Sequence, residues 1–557
     1  MLFYCETNLT YGIMLKVGDR MKFKHLNYDG YEEYMKYYQL SSLAAKVLAT
    51  MNLSDEKIKE LLFHQMNINE FDLSFLDETV YMLQHAKLHK EKIIVCGDYD
   101  CDGICATTII VDSLRKFGIE CGYYIPNRFS EGYGINKNTV ALAKEKGYQI
   151  ILTVDNGVKA KDVLSQAKAA GLKIILSDHH VYEEDEVIYD CFLHPNVFPD
   201  FFHGMCGAGI AYLLSRRLIG EYDKHTMLAA VATIGDVVPL QNANRVIVKE
   251  GIRLLNTKNY LALQMLQNDN KKWDASKIAF QVVPKINCIG RMADLANANR
   301  MVQYLLLEND AAIQNTIVSI NQLNEKRKQI SEKMEEKAKH IAKQERSDFY
   351  LLYDSSFHEG LNGIVASKIM HEFHCPAMVL SECNSLLKGS IRSNTVDLST
   401  FFDEIKPLLI TYGGHKEAAG ICFEKKHLQE IQSFIHEKMK SEKKEEEISV
   451  LPITKEELTY AEVSSLSILE PFGCDFELPL FCVHDDHLTI SALSNGKHLK
   501  YSGSHLNYLY FNQGNRYQND VKRTDFTFIG KVEANNFYGK KSVNLIVDYL
   551  IDPIYNK

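Results

Sequence analysis

Between Lys92 and about Pro195 the chain alternates short apolar runs with stretches of helical spacing. The runs are Ile93-Ile94-Val95, Ile150-Ile151-Leu152-Thr153-Val154 and Lys173-Ile174-Ile175-Leu176. Apolar runs of this length between helices are the pattern of strands buried on both faces. The segment therefore predicts a parallel sheet wound with helices. Before it, from about Tyr31 to Lys90, Ile58, Leu61 and Leu62 recur at helical spacing behind the start signal Ser54-Asp55-Glu56, and the whole stretch 1–90 is read as a helical cap. Residues 205–305 read as mostly helix and complete a domain over 91–309. From Asp310 to about Gln344 the chain is highly charged and free of Gly and Pro, with Ile313, Ile317, Ile320 and Leu323 on one helical face, so 310–345 is a helical connector.

A second alternating region, 346–447, carries strand-like Phe349–Tyr353 and Ala377–Leu380, the Gly-rich 413–420, and a charge run over 438–447 read as a solvated linker. After Pro452 the composition turns aromatic and β-forming. Turn signals at Asn495-Gly496, Gln513-Gly514 and Tyr538-Gly539 predict a barrel of about five strands within 448–557. At 557 residues, three or four domains are expected from roughly 100 to 200 residues each. The fold class is α/β with an appended β-barrel.

Composition narrows the picture. No uncharged apolar stretch of about 18 residues is present to span a bilayer as a helix. A net charge of -9 means that any nucleic acid must be met by local basic surfaces. The 13 cysteines include no C-x-x-C pair, which argues against a zinc ribbon or a disulfide framework and reads as reduced thiols of a cytoplasmic protein. Glu6 interrupts the apolar opening and no basic leader precedes it, so no export is expected, while Met14 and Met21 remain alternative starts.

The chemistry concentrates where the apolar runs end. The first is followed by Asp98, Asp100, Asp102 and Gly103, the second by Asp155-Asn156-Gly157, and the third by Asp178-His179-His180. An EF-hand loop also begins D-x-D-x-D-G, but its twelfth position needs Glu where this chain has Ile109, and a strand precedes the loop instead of a helix. In an open parallel sheet ligands sit outside the carboxyl ends of the strands, where the three tips converge. Asp236, after an apolar run, is a fourth candidate. Carboxylates with a neutral imidazole suit Mn²⁺ or Mg²⁺. One carboxylate shared between two ions would hold them about 3.5 to 4 Å apart, an arrangement suited to hydrolysing phosphate esters or anhydrides. Cys101, between two candidate ligands, is a small filler or an oxidation-sensitive thiol.

In order and spacing, Asp98–Gly103, Val154–Gly157, Ser177–His180 and Ile234–Asp236 resemble the four motifs of the DHH phosphoesterase superfamily. Segments 125–134, 284–292, 358–369, 389–393 and 413–420, with 469–473, 496–501 and 537–550, are similar to the RecJ family, over about residues 35 to 555. That resemblance implies that Asp100 and Asp102 hold separate Mn²⁺ or Mg²⁺ ions, that Asp155 bridges them, and that His179 and Asp236 complete the second ion's shell. It implies that His180 contacts the scissile phosphate with Asp98 beside it. Arg291, Ser390 and Arg392 would form a pocket for a terminal 5′-phosphate, with His415, Arg128 and Tyr133 as further substrate contacts. In the last domain Tyr501, Tyr508, Tyr510 and Phe511 read mainly as core strand residues, one or two of them stacking bases beside Lys497, Lys500 and Lys540. The implied function is 5′ to 3′ exonuclease action on single-stranded DNA in repair and recombination, by a monomer with a helicase and a single-strand-binding protein as expected partners. Two alternatives stand beside it: a DHH hydrolase of short oligonucleotides or cyclic dinucleotides, and a non-catalytic replication scaffold.

Overall fold

The structure, a computed structural model, describes residues 14–17, 21–63, 67–269, 271–344, 346–441, 446–537 and 539–551. The opening stretch 1–13, residues 442–445 of the charge run, and Tyr538 of one expected turn lie outside the described residues. Among the described residues no helix is long and apolar enough to cross a membrane.

Three sheets organise the described residues. The first is wholly parallel, in the order Cys121–Tyr124, Ile93–Cys96, Ile150–Val154, Lys173–Ser177, Cys191–Leu193. Its central strands are buried on both faces, which is why they read as continuous apolar runs rather than alternating ones. Helices Cys101–Phe117, Gly207–Ile219 and Asp223–Gly235 pack against one another beside it and continue its core. The 33-residue helix Asp310–Ala342 leads to the second sheet, which is antiparallel except where Tyr350–Tyr353 runs parallel to Ala377–Cys383. Ile313, Ile317 and Ile320 bury against the first core and Met334, Ala338 and Ala342 against the second, so one helix is anchored in both.

The third sheet corrects two expectations. Among the described residues it has nine strands rather than about five, and two of them, before residue 26, precede the cap helices. Met14–Val17 and Met21–His25 pair with each other, and the latter lies parallel to Glu446–Pro452. The segment 1–90 is therefore not helical throughout: its helices begin at Tyr31. Five residues with two apolar side chains, Met21 and Phe23, give too short an alternation to be read as a strand. What makes them one is the open edge of a strand more than 400 residues away in sequence. Phe23 is fully buried there, edge-on to Tyr549 at 5.2 Å and in one cluster with Val450, Ile529 and Ile551. The cap is also tied on by Lys46, whose buried ammonium pairs with Glu457 and lies over the rings of Tyr28 and Tyr31.

Phe23→Ala is expected to destabilise this third sheet by about 3 to 5 kcal/mol, the usual range for emptying a core aromatic site. Hydrogen exchange checks it. Amides of Ile448 and Val450 should exchange faster in the variant while those of Ile93–Cys96 stay protected, and unchanged exchange at Ile448 would contradict the pairing.

Candidate active site

The three strand tips and the start of the helix Cys101–Phe117 meet at the carboxyl edge of the parallel sheet. Asp100 caps that helix, its side chain accepting from the Gly103 amide at 3.0 Å. Asp102, in the first turn of that helix, accepts from the Gly207 and Ala208 amides at 2.6 and 2.7 Å, which are the free N–H groups opening the helix Gly207–Ile219. This close approach requires glycine at 207, since a Cβ there would stand 2.7 Å from the Asp155 Cβ. Asp155 sits in the left-handed region at φ 61°. Its turn is held by Asn156, which donates to Cys96 and Val154 carbonyls at 3.0 and 2.8 Å, and by the Tyr133 hydroxyl, which donates to the Asp155 carbonyl at 2.8 Å. Asp236 caps the end of the helix Asp223–Gly235.

These residues form two groups of converging ligand atoms: Asp98, Asp100 and Asp155 in one, Asp102, His179 and Asp236 in the other. His179 Nε2 lies 3.1 Å from an Asp155 oxygen, so Asp155 stands between them. Asp155, His179 and His180 converge as well. Burial, and then the neighbouring carboxylates, push Asp98, Asp100, Asp155 and Asp236 above the usual carboxylate range. One buried oxygen on each of Asp98, Asp155 and Asp236 receives no hydrogen bond. Unsatisfied buried carboxylate oxygens are costly unless a cation meets them. A donor set of carboxylates and imidazole fits a hard divalent ion, and these residues fit the Mn²⁺ or Mg²⁺ that the sequence led us to expect.

Asp178, to which sequence reading gave no role, positions this loop. One of its oxygens accepts from the His179 amide at 2.8 Å and faces His180 Nδ1 at 2.8 Å, and the other accepts from Val158 at 3.0 Å. Burial opposes the charged imidazolium, but the Asp178 bond outweighs it and holds His180 above its ordinary value. Burial holds His179 below its own, in the neutral form a metal ligand needs. Cys101 is no redox point: its bond with Cys105 and its burial push the thiol well above the ordinary value, and an unionised buried thiol is a poor nucleophile.

A cluster of guanidinium groups lies beside the carboxylates. Burial, then Arg128, Arg327 and Arg392, push Arg291 down to about 10. Among the described residues no carboxylate forms an ion pair with Arg128, Arg291 or Arg392. The Arg128 guanidinium lies over the Tyr99 ring at 5.1 Å, and Arg392 donates to its neighbour's carbonyl, Ile391, at 2.8 Å. Ser390 and Arg392 share the strand Leu386–Arg392 of the second sheet, and both face Gly363. Arg327 was missed, because within the charged helix 310–342 its residue type gives no signal that distinguishes it from a solvated face. His415 is exposed but close enough for His180 and Lys159 to help burial lower its affinity for protons. Tyr133, expected to hold substrate, braces Asp155 through its hydroxyl and contacts His180 edge-on, while the residue as a whole stays 48% exposed. Tyr501 and Tyr508 are fully buried, their hydroxyls bonded to Asp520 and Asp485, and are core residues; Phe511 is exposed.

A parallel α/β domain with acidic strand tips, joined by a long helix to a second α/β domain, defines a DHH phosphoesterase. Family models match in that order: DHH family, N-terminal domain, over 92–235; DHHA1 domain over 347–441; RecJ OB domain over 451–549. The single-stranded-DNA-specific exonuclease RecJ of Bacillus subtilis is 28% identical over 96% of this chain and 71% of its own length. That of Haemophilus influenzae is 29% identical, over 87% and 92% respectively. The crystal structure of Thermus thermophilus RecJ in complex with Mn²⁺ is 25% identical with a TM-score of 0.83, covering 96% of this chain and 80% of that one. A structure of exonuclease RecJ bound to manganese is 30% identical with a TM-score of 0.58, covering 66% and 95%. The chain belongs to the RecJ family.

Mn²⁺ is expected to raise the thermal midpoint of the protein, since an ion that binds only the folded state adds about 2.7 kcal/mol at a hundred times its dissociation constant. Asp155→Ala should lose most of that increment. Gly207→Ala, which crowds Asp102 and Asp155 without removing a ligand, should weaken Mn²⁺ binding measured by calorimetry. An undiminished Mn²⁺ increment in folded Asp155→Ala would place the ions elsewhere.

Proposed function

We propose that the chain is a divalent-metal-dependent exonuclease that hydrolyses single-stranded DNA from a 5′-phosphorylated end. The observation that carries this reading is the pairing of two sites of opposite charge: unsatisfied carboxylate oxygens on the first domain, and arginines without carboxylate partners drawn from both domains. A phosphodiester needs the first and a terminal phosphate the second. RecJ relatives described as single-stranded-DNA-specific exonucleases, together with the matching RecJ OB domain, support a polymer substrate over the short oligonucleotides or cyclic dinucleotides considered above. The filled set of acidic and histidine positions speaks against a non-catalytic scaffold.

In this reading Asp98, Asp100 and Asp155 hold one ion and Asp102, His179 and Asp236, with Asp155, a second. When bound, the two ions supply the Lewis acidity for attack of water on phosphorus and departure of the 3′ oxygen. The chain's residues set the geometry. The amides of Gly207 and Ala208 fix Asp102, and Asn156 and Tyr133 fix Asp155. With its Nδ1 proton on Asp178, His180 turns Nε2 toward the scissile phosphate. Arg291, Ser390, Arg392 and Arg327 bind the terminal phosphate, with Arg128 and His415 along the strand. Guanidinium forks match phosphate oxygens, and the phosphate relieves the repulsion among the arginines. The domain boundaries proposed from the sequence, 91–309 and 346–447 flanking the helix, put this cleft between domains. Single-stranded DNA then continues toward the third sheet, where exposed Phe511 and Lys497 offer a ring and a charge.

Replacing Arg392 with Ala removes a charge-assisted contact of about 1.5 to 3 kcal/mol, or roughly 10- to 150-fold in rate. The loss should fall on 5′-phosphorylated strands far more than on 5′-hydroxyl strands at one fixed salt and Mn²⁺ concentration. An unchanged ratio of initial rates, or products released first from the 3′ end, would overturn the pocket and the polarity together. Asp155→Ala should abolish turnover of both strands alike.

A further inference from the structure

Away from the catalytic cleft, a cavity of about 800 Å³ lies among the cap helix Asp55–Leu62, the helix Asn242–Thr257 and the loop around Phe476. One face of the second helix lines it with Arg245, Lys249 and Arg253, three cations spaced four residues apart. Like charges at this spacing repel, so each needs compensation. Two have it. Arg245 donates to the carbonyls of Pro471, Leu469 and Glu470 at 2.8, 2.7 and 3.0 Å and lies 4.2 Å over the Phe476 ring. Arg253 forms a forked pair with Glu250 at 2.8 and 2.6 Å. Lys249, between them and half-buried, has no ion pair and no hydrogen bond among the described residues. Burial and then Arg245 push it down to about 8.

The other acids of the cavity, Glu60, Glu221 and Asp475, are exposed at its margin. Its walls are apolar at Leu61, Leu240, Val246 and Phe476, with the amides of Asn67 and Gln241 among them. An unpaired cation, apolar walls and side-chain amides suit a ligand with one anionic end and a ring bearing donors and acceptors. The volume lies in the range of small-ligand sites.

We propose that this cavity binds a nucleoside monophosphate, its phosphate on Lys249. The choice of nucleoside rests on the function proposed above, whose product is a mononucleotide; the demand for an anion does not. The chain that leaves Asp236 runs on into one wall of this cavity. Leu240 and Gln241 follow Asp236 within five residues, and both are tied to the opposite wall, the Leu240 amide donating to Cys474 at 2.9 Å and the Gln241 side chain to Asp475 at 3.3 Å. Val237, directly after Asp236, is a β-branched residue held at φ 59°, a conformation such residues rarely adopt. A ligand against Leu240 and Gln241 therefore presses on the loop that carries Asp236.

The experiment is equilibrium dialysis of dAMP against the full chain in chelator, where no turnover occurs, with Arg392→Ala present to silence the catalytic phosphate pocket. Arg392→Ala protein should bind one dAMP. Adding Lys249→Met should weaken that binding at least about tenfold, and Lys249→Arg should largely restore it, with circular dichroism confirming that each variant is folded. Equal binding with and without Lys249→Met, or no binding to Arg392→Ala protein, would overturn the site. Inorganic phosphate binding as tightly as dAMP would overturn the nucleoside class, and a long 5′-phosphorylated strand displacing dAMP as well as dAMP itself would overturn the free mononucleotide as its source. Digestion of single strands is scored separately, so a failed dialysis result leaves the nuclease reading intact, and the reverse holds.

Discussion

Repulsion among carboxylates at the end of one parallel sheet is the constraint on which the rest of this molecule depends. Asp98, Asp100, Asp102, Asp155 and Asp236 converge in a largely buried space, where each raises the energy of its neighbours' charged forms. Two kinds of compensation are built in or implied. Helix N-termini aim free amides at Asp100 and Asp102, and oxygens left without donors on Asp98, Asp155 and Asp236 await cations. The helices Cys101–Phe117 and Gly207–Ile219 have to pack tightly for the first to work, which explains the close contact at Gly207 and the apolar character of both helices.

The opposite charge is gathered in the same way across a domain boundary. Arg291 ends one helix of the first domain, Arg327 lies on the long connector, and Arg392 ends a strand of the second sheet. They come together because the connector is buried in both cores and because Gly360 lets the second domain settle against the Arg291 backbone, where a Cβ would stand 1.8 Å from its carbonyl oxygen. The arginine cluster is thus a property of how two domains are held, as the carboxylate cluster is a property of one sheet. A strand of nucleic acid with a terminal phosphate has the chemistry that the proposed function asks of both clusters.

Much of this was legible in the residues. The runs Ile93–Val95, Ile150–Val154 and Lys173–Leu176 announced buried parallel strands because a strand covered on both faces has no polar side to confuse its pattern. The acidic tips followed, since loops after parallel strands all open on one edge. The helix 310–342 was equally clear from its isoleucine spacing. By contrast, the sequence places Met21–His25 within a helical cap, gives no sign of Arg327, and marks Asp178 only as part of a strand tip without its positioning role. Each takes its role from a partner distant in sequence or from a hydrogen bond, and neither leaves a periodic trace.

By itself, then, the sequence determined the local elements, the order of the domains and the carboxylate and histidine tips, because periodicity and strand-end loops are short-range properties. Only the tertiary structure decided that Met14–Val17 and Met21–His25 join the last sheet, that the Tyr133 hydroxyl braces Asp155, that Tyr501 and Tyr508 serve the core, and that Lys249 is left between two satisfied cations. Those outcomes turn on which groups remain unpaired once distant segments pack, and pairing across long loops is settled by burial and geometry rather than by neighbouring residues.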